Sequence, residues 1–315
     1  VFATSPVEAI LTKKARFSQG FRATGVRVRG IDILVRKSVI SDAGYTKTFG
    51  LVPNSSPLVN EQAGASQKKL NDFNMRPSPA FFMLCVGLDG TDTELNLPAQ
   101  NVWHVKDWDH DAYMHDMASM EVAEFLKVDP PLIFISNGSA KDPDYVRRHP
   151  GTATITLVAW TNRKWFDIYA NSDHQHRNEE YENLKRVVTD KMLQVLYRHF
   201  PKTQGRVKVA EMGSPLTAIK YLGRATGEIY NLDHGVERFK SLGAQLALHP
   251  QTTVKNLYLA GQDQLAVSVE GAMLSGVFAC ARANLFAFTL VCAPALFVFL
   301  SLSLIFRGCA IGQEQ

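Results

Sequence analysis

From residue 283 to residue 306 the chain runs 24 residues without a charge, between Arg282 and Arg307. Leu285 to Phe306 reads LFAFTLVCAPALFVFLSLSLIF, with no polar face beyond Ser and Thr. About 20 apolar residues in a helix cross the hydrocarbon core of a bilayer. Residues 283–307 are therefore expected to form a transmembrane helix, and a membrane is expected among the partners. Pro294 would kink that helix, which a membrane span tolerates. Arginine at both ends leaves its orientation open.

The rest of the chain has the balance of a globular protein. Over all 315 residues, 46% are apolar and 20% charged, which excludes a disordered chain. Lys+Arg minus Asp+Glu is 34 − 30 = +4, with no basic run, so nucleic acid is excluded as a partner. Cys85, Cys280, Cys292 and Cys309 form no CxxC pair, which excludes zinc ribbons and thioredoxin-like chemistry. The first residue is Val1 rather than Met, so a fragment or processed product is expected.

Along the chain, Val7 to Leu11, Phe21 to Arg29 and Ile31 to Ile40 are rich in Val and Ile and predict a β-meander leading into VISDAG, Val39 to Gly44. Asn60 to Phe73 reads as an exposed helix. A new unit begins at Pro77 with the apolar strand AFFMLCVGL, and Leu132 to Ser136, Thr152 to Trp160 and Val207 to Met212 read as further strands. In Arg177 to Phe200, the residues Tyr181, Leu184, Val188, Met192, Val195 and Leu196 recur at helical spacing.

Several familiar motifs are incomplete or missing. Asp107, Asp109 and Asp111 imitate an EF-hand loop, but Ala112 and Ala118 stand where Gly and a bidentate Glu are needed. His104, His110 and His115 lack the i, i+4 pairing of helical zinc sites; no metal is expected, only a polar loop and a helix start near Asp111. There is neither GxSxG nor GxGxxG nor a P-loop.

The stretch that carries chemistry is LYLAGQDQLAVSVEGAMLSGVFAC, Leu257 to Cys280. A short strand ends at Gly261, Asp263 follows, and a helix begins after Ser268, a candidate N-cap. Gly271, Ala272, Ser275, Gly276 and Ala279 leave one helix face bare, so that a flat group can approach the backbone. The helix N-terminus suits a phosphate or an anionic ring. Glu270 would repel a phosphate and is expected to point away. Asp263, just after a strand, suits hydrogen bonding to sugar or ribityl hydroxyls. The same residues also suit a helix packed on a strand, with Asp263 an ordinary turn residue.

Seven passages in order resemble the FAD-dependent amine oxidase and phytoene desaturase superfamily, and within it the retinol saturase and carotenoid cis–trans isomerase branch. They are GVRVRG with VISDAG (Gly25 to Gly44), CVGLDGTDTELNLPAQNVW (Cys85 to Trp103), WDHD (Trp108 to Asp111), PPLIFIS with SAKDP (Pro130 to Pro143), EEYENLK with LYRHFP (Glu179 to Pro201), GSPLT, YLG and GEIYNLDH (Gly213 to His234), and NLYLAGQD with EGAMLSG (Asn256 to Gly276). The resemblance covers Pro6 to about Arg282 and looks like that family's C-terminal part.

The resemblance implies an α/β fold: an incomplete Rossmann-like FAD-binding domain of the glutathione reductase type, an inserted α+β substrate domain, and a C-terminal membrane helix. Its implied divisions are 1–60 and 251–282 for the cofactor domain, 61–250 for the substrate domain and 283–307 for the membrane helix. The backbone of Val7 would meet the adenine of FAD. Asp42, Ala43 and Gly44 would lie near the cofactor, Gly261, Gln262 and Asp263 near its ribityl and pyrophosphate groups, and Val269, Glu270, Gly271 and Ala272 against the flavin pyrimidine. Tyr221, Tyr230 and His234 are candidates for lining a polyene channel or for catalysis. The implied activity is flavin-mediated hydride transfer to a retinoid or carotenoid, foremost reduction of the 13,14 double bond of all-trans-retinol, with NAD or NADP as a reductant. Carotenoid isomerisation or desaturation, or an inert membrane-tethered binding module, are the alternatives. The implied place is the endoplasmic reticulum membrane, with a plastid membrane as the alternative. One departure stands out: the family's glycine-rich phosphate loop is missing from this chain, and with it the main cradle for the pyrophosphate.

Overall fold

The computed structural model describes residues 3–15, 20–53, 68–106, 108–128, 130–170, 178–224 and 226–284. In chain order the principal elements are β1 (Val7–Lys14), β2 (Phe21–Val28), β3 (Ile31–Leu34), β4 (Val39–Ser41), α1 (Tyr45–Gly50), β5 (Ala80–Asp89), β6 (Val102–Val105), β7 (Leu132–Asn137), β8 (Thr152–Thr161), α2 (Glu179–His199), β9 (Val207–Gly213), α3 (Pro215–Leu222), α4 (Val236–Phe239), α5 (Leu242–Ala247), β10 (Leu257–Leu259) and α6 (Val269–Ala283). They form two units, one of residues 1–76 with 230–315 and one of Pro77–Ile229.

In the first unit β1, β2 and β3 form the expected antiparallel meander. Arg29 and Gly30, both at positive φ, make the tight turn that joins β2 to β3. The expected single strand from Ile31 to Ile40 is two strands in two sheets. β3 stays with β2, whereas β4 pairs in parallel with β10. One straight strand cannot serve both partners, and the chain bends at Arg36 and Lys37 to change from one to the other. Ile10, Ala23, Val39, Val52, Val254 and Leu257 pack into one small core, and Tyr45, Phe49, Leu70, Leu232, Leu248 and Leu259 into another.

The second unit is a five-stranded sheet in the order β6-β7-β8-β5-β9, with every neighbouring pair antiparallel. The strands alternate by side-chain direction. Phe82, Leu84, Val86 and Leu88 of β5, Ile133 and Ile135 of β7, and Ile155 and Leu157 of β8 are buried on one face. α2 lies against this core with the six residues of its predicted stripe, Tyr181 to Leu196, all buried. The Asn178 side chain caps it by accepting the Tyr181 N–H at 3.1 Å. Glu179, Glu180 and Glu182 occupy its first turn, where the helix dipole favours carboxylates. His110–Ser119 is helical, as the polar start near Asp111 implied, and Asp109 Oδ1 accepts the Ala112 N–H at 3.0 Å.

The units divide at 76/77 and 229/230, not at 60/61 and 250/251. The reason is packing: Leu70 on one side of the excursion, and Leu232 and Leu248 on the other, belong to the core around Tyr45 and Phe49. Among the described residues no helix is long and apolar enough to cross a membrane. α6 runs through Ala283, and the expected span from Leu285 onward lies outside the described residues.

Candidate functional site

Val39, Ile40 and Ser41 pair with Leu257, Tyr258 and Leu259 in parallel. The two strands therefore end side by side, at Ser41 and Leu259, with Asp42 and Gly261 in the turns just beyond. Open α/β sheets bind ligands just beyond the carboxyl ends of such strands. Gly261 has φ +97°, and a Cβ there would stand 1.7 Å from Asp42 Oδ1. Gly44 has φ +90°, and its Cβ would meet Asn231 Nδ2 at 2.2 Å. Both turns need glycine for conformation and for closeness. Asp42 and Ala43 are exposed beside them. Val7 lies at the start of β1 opposite Val28, 37% exposed.

α6 begins as expected: Ser268 Oγ accepts the Gly271 N–H at 2.8 Å. Its small-residue face is not bare, however. Gly271, Ser275 and Ala279 are buried against the chain itself. A Cβ on Gly271 would lie 2.2 Å from the Ala266 carbonyl oxygen. Ser275 Oγ accepts the Gly261 N–H at 2.6 Å and donates to the Ala272 carbonyl at 2.7 Å. The small residues thus let the helix seat on the turn at Gly261. Val269 is 74% exposed, and Ala272 is half-buried. Glu270 does not point away from the helix end. Its own backbone N–H, and then the Ser268 side chain, hold its carboxylate below the usual range. The unpaired N–H groups of a first turn attract a carboxylate in this way.

Asp263 is turned inward and is 1% exposed. Oδ2 accepts the Tyr45 N–H at 2.8 Å and Oδ1 the Leu232 N–H at 3.2 Å. Arg238, which the sequence reading missed, is buried next to it. Its Nη2 donates to the carbonyls of Gln262 at 2.8 Å and Asp263 at 2.7 Å. Burial lowers its pKa, and the charges of Asp263 and Asp233 oppose that. No motif marks Arg238; its position four residues after His234 is the one local signal.

His234 is half-buried between these groups. Its Nε2 accepts the Val267 N–H at 2.5 Å, and Arg238 Nη1 lies 3.1 Å from its Nδ1. Burial first, and the Arg238 charge second, push its pKa down to about 4, so the imidazole is neutral at pH 7 and cannot serve as a ready acid. Its ring centroid is 6.1 Å from Tyr230 and 5.8 Å from Phe239. Tyr221 belongs to the other unit, on α3, and is 75% exposed.

These residues fit a dinucleotide in part. Paired strand ends, close glycine turns and a helix start at Val269 suit a phosphate-linked group. Asp263 does not fit as a hydroxyl partner, because its carboxylate is turned inward onto the backbone at Tyr45 and Leu232 and is 1% exposed. The Glu270 carboxylate would have to swing aside for an anion. Among the described residues no group of three or more metal-ligating side chains occurs.

In the second unit, the sheet face opposite the buried core carries a graded surface. Trp103, Phe134, Val158 and Met83 are successive cross-strand neighbours, one from each of β6, β7, β8 and β5. The Trp103 and Phe134 rings lie 4.8 Å apart, and Trp103 is 60% exposed. Three strand spacings of about 4.8 Å make this apolar row about 14 Å long. The next row, Ser136, Thr156, Cys85 and Glu211, is polar.

No protein-family model matches the chain. The chain is 34% identical over 283 residues to an all-trans-retinol 13,14-reductase of Danio rerio, covering 89% of this chain and 44% of that protein. The protein of the same name from Homo sapiens is 31% identical over 295 residues, 90% of this chain and 45% of its own length. An inactive all-trans-retinol 13,14-reductase of Danio rerio is 28% identical over 286 residues, 89% of this chain and 44% of that protein. The chain thus spans less than half the length of these curated relatives. A crystal structure of an oxidoreductase from Methanosarcina mazei superposes on 86% of this chain and 47% of its own, with 15% identity and a TM-score of 0.46.

Proposed function

We propose that this chain is part of a flavin-dependent oxidoreductase that reduces one double bond of a retinoid, foremost the 13,14 bond of all-trans-retinol. The observation that carries the reading is the similarity of about nine-tenths of the chain to proteins of that activity. The apolar row from Trp103 to Met83 supports it, being about as long as an extended polyene. Its polar neighbour row gives such a ligand an orientation, with a hydroxyl toward Ser136, Thr156 and Glu211.

The cofactor in this reading is FAD, reduced by NAD or NADP. When bound it supplies the hydride. The residues that would hold it are Asp42, Ala43, Gly44, Gly261, Gln262 and the first turn of α6 at Val269. Asp263 and Arg238 do not touch it; they fix the two turns that do. The uncharged run after Arg282 supports attachment to a membrane, in this reading that of the endoplasmic reticulum.

A second reading is favoured by the inactive relative: a retinoid-binding module without turnover. Purified protein, incubated with all-trans-retinol and NADPH and analysed by chromatography, separates the two. Bound flavin with 13,14-dihydroretinol as product supports the reductase. Flavin-loaded protein that leaves retinol unchanged overturns it, and retinol binding without flavin supports the module.

A further inference from the structure

β6 is the edge strand of the five-stranded sheet and pairs with β7 along four residues. Its His104 faces the core side, next to Ile133, and reaches the last residue of α2. His104 Nδ1 and His199 Nε2 lie 3.1 Å apart, with ring centroids 5.3 Å apart and planes inclined by 76°. His199 is exposed and His104 half-buried.

Held by hydrogen bonding alone, this pair needs one shared proton between two nitrogens. The same separation is that of two neighbouring ligands on one metal ion. Bonds of about 2.0–2.1 Å meeting at roughly 90–110° put two nitrogens about 2.9–3.4 Å apart. Imidazole nitrogen suits zinc, copper and nickel. The C-terminal end of a helix of 21 residues favours a cation.

We propose that His104 and His199 form a divalent transition-metal site that ties the edge strand β6 to the C-terminal turn of α2. Both rings turn about their side-chain torsions to bring their lone pairs onto one ion, and the ion replaces the shared proton. No group of three or more ligating side chains occurs among the described residues, so water completes the coordination and the ion exchanges readily. The ion adds a second fastening to a strand held along four residues.

Zinc titration by calorimetry tests this on the full chain. His174 and His176 are first replaced by Gln in every protein compared, to remove a second pair two residues apart. One binding event is expected, weakened at least tenfold by His104→Gln and by His199→Gln alike. Hydrogen exchange with zinc should slow at residues 102–105 and in the last turn of α2, and neither variant should show the slowing. Equal zinc affinity in the parent and both variants, or slowing confined to other segments, overturns the proposal. The two histidines sit on different elements, so a folding defect in one variant leaves the other to decide.

Discussion

The Asp263 carboxylate accepts the backbone N–H of Tyr45 at 2.8 Å, although the two residues are 218 positions apart in the chain. This bond closes the turn after β4 onto the turn after β10. Asp263→Ala leaves two buried N–H groups unpaired and the Arg238 charge without its neighbour, and should cost about 3–5 kcal/mol. Asp263→Asn keeps one acceptor and should cost about 1–3 kcal/mol. Urea denaturation checks the order. Unchanged midpoints in both variants would mean that Asp263 does not hold the turns.

The glycines near the site differ in kind. Gly261→Ala adds a Cβ where Asp42 Oδ1 already stands, at φ +97°, and should destabilise by about 1–3 kcal/mol. A Cβ on Gly276 meets nothing within 4 Å, and Gly276→Ala within α6 should stabilise by about 1 kcal/mol. Thermal unfolding of the two variants should shift in opposite directions.

His234 makes stability depend on acid. Its folded pKa of about 4 lies below the ordinary 6.5, so the unfolded chain takes up the proton first. The stabilisation is fully present above pH 6.5, falls as pH drops, and is gone once the folded pKa is passed. Allowing for partial exposure, the loss is about 2 kcal/mol. Burial and the Arg282 charge lower the pKa of His249 as well, and it acts in the same direction. Denaturation midpoints at pH 7 and pH 5 should converge in His234→Gln, whose side-chain carbonyl can still accept the Val267 N–H. An undiminished gap would show that His234 is not the source.

The apolar row predicts a retinol site with a built-in reporter. Trp103, at one end, should lose emission when retinol binds. Val158→Lys places a charge in the middle of the row and should weaken binding at least tenfold, while α2 and the core behind it remain folded by circular dichroism. Retinol affinity unchanged in Val158→Lys would remove the row from the site.

What the sequence makes legible follows from how local the cause is. The α2 stripe from Tyr181 to Leu196 is a periodic pattern read within one element, and the structure buries all six residues. Ser268 caps α6 because the signal is a residue type next to a helix start. The break between β3 and β4 escaped, since partner choice depends on Leu257, more than 200 residues away. The small face of α6 was readable as small, but what fills it was not: Ser275 meets the Gly261 turn through a hydrogen bond that no spacing announces. Arg238 was hidden for the same reason, because its acceptors, the Gln262 and Asp263 carbonyls, are backbone atoms of a distant turn.

Each unit holds its own chain ends by hydrogen bonds of its own. In the sheet unit the Ile229 N–H donates to the Pro79 carbonyl at 3.0 Å, and Ala80 bridges to Glu228. In the other unit the Asp233 N–H donates to the Arg76 carbonyl at 2.8 Å. Each unit therefore brings its two cut ends together by itself. The segment Pro77–Ile229 is built as a cassette: a gene encoding it alone specifies both of its own borders. A short linker from Arg76 to Tyr230 would close the remainder without stretching it.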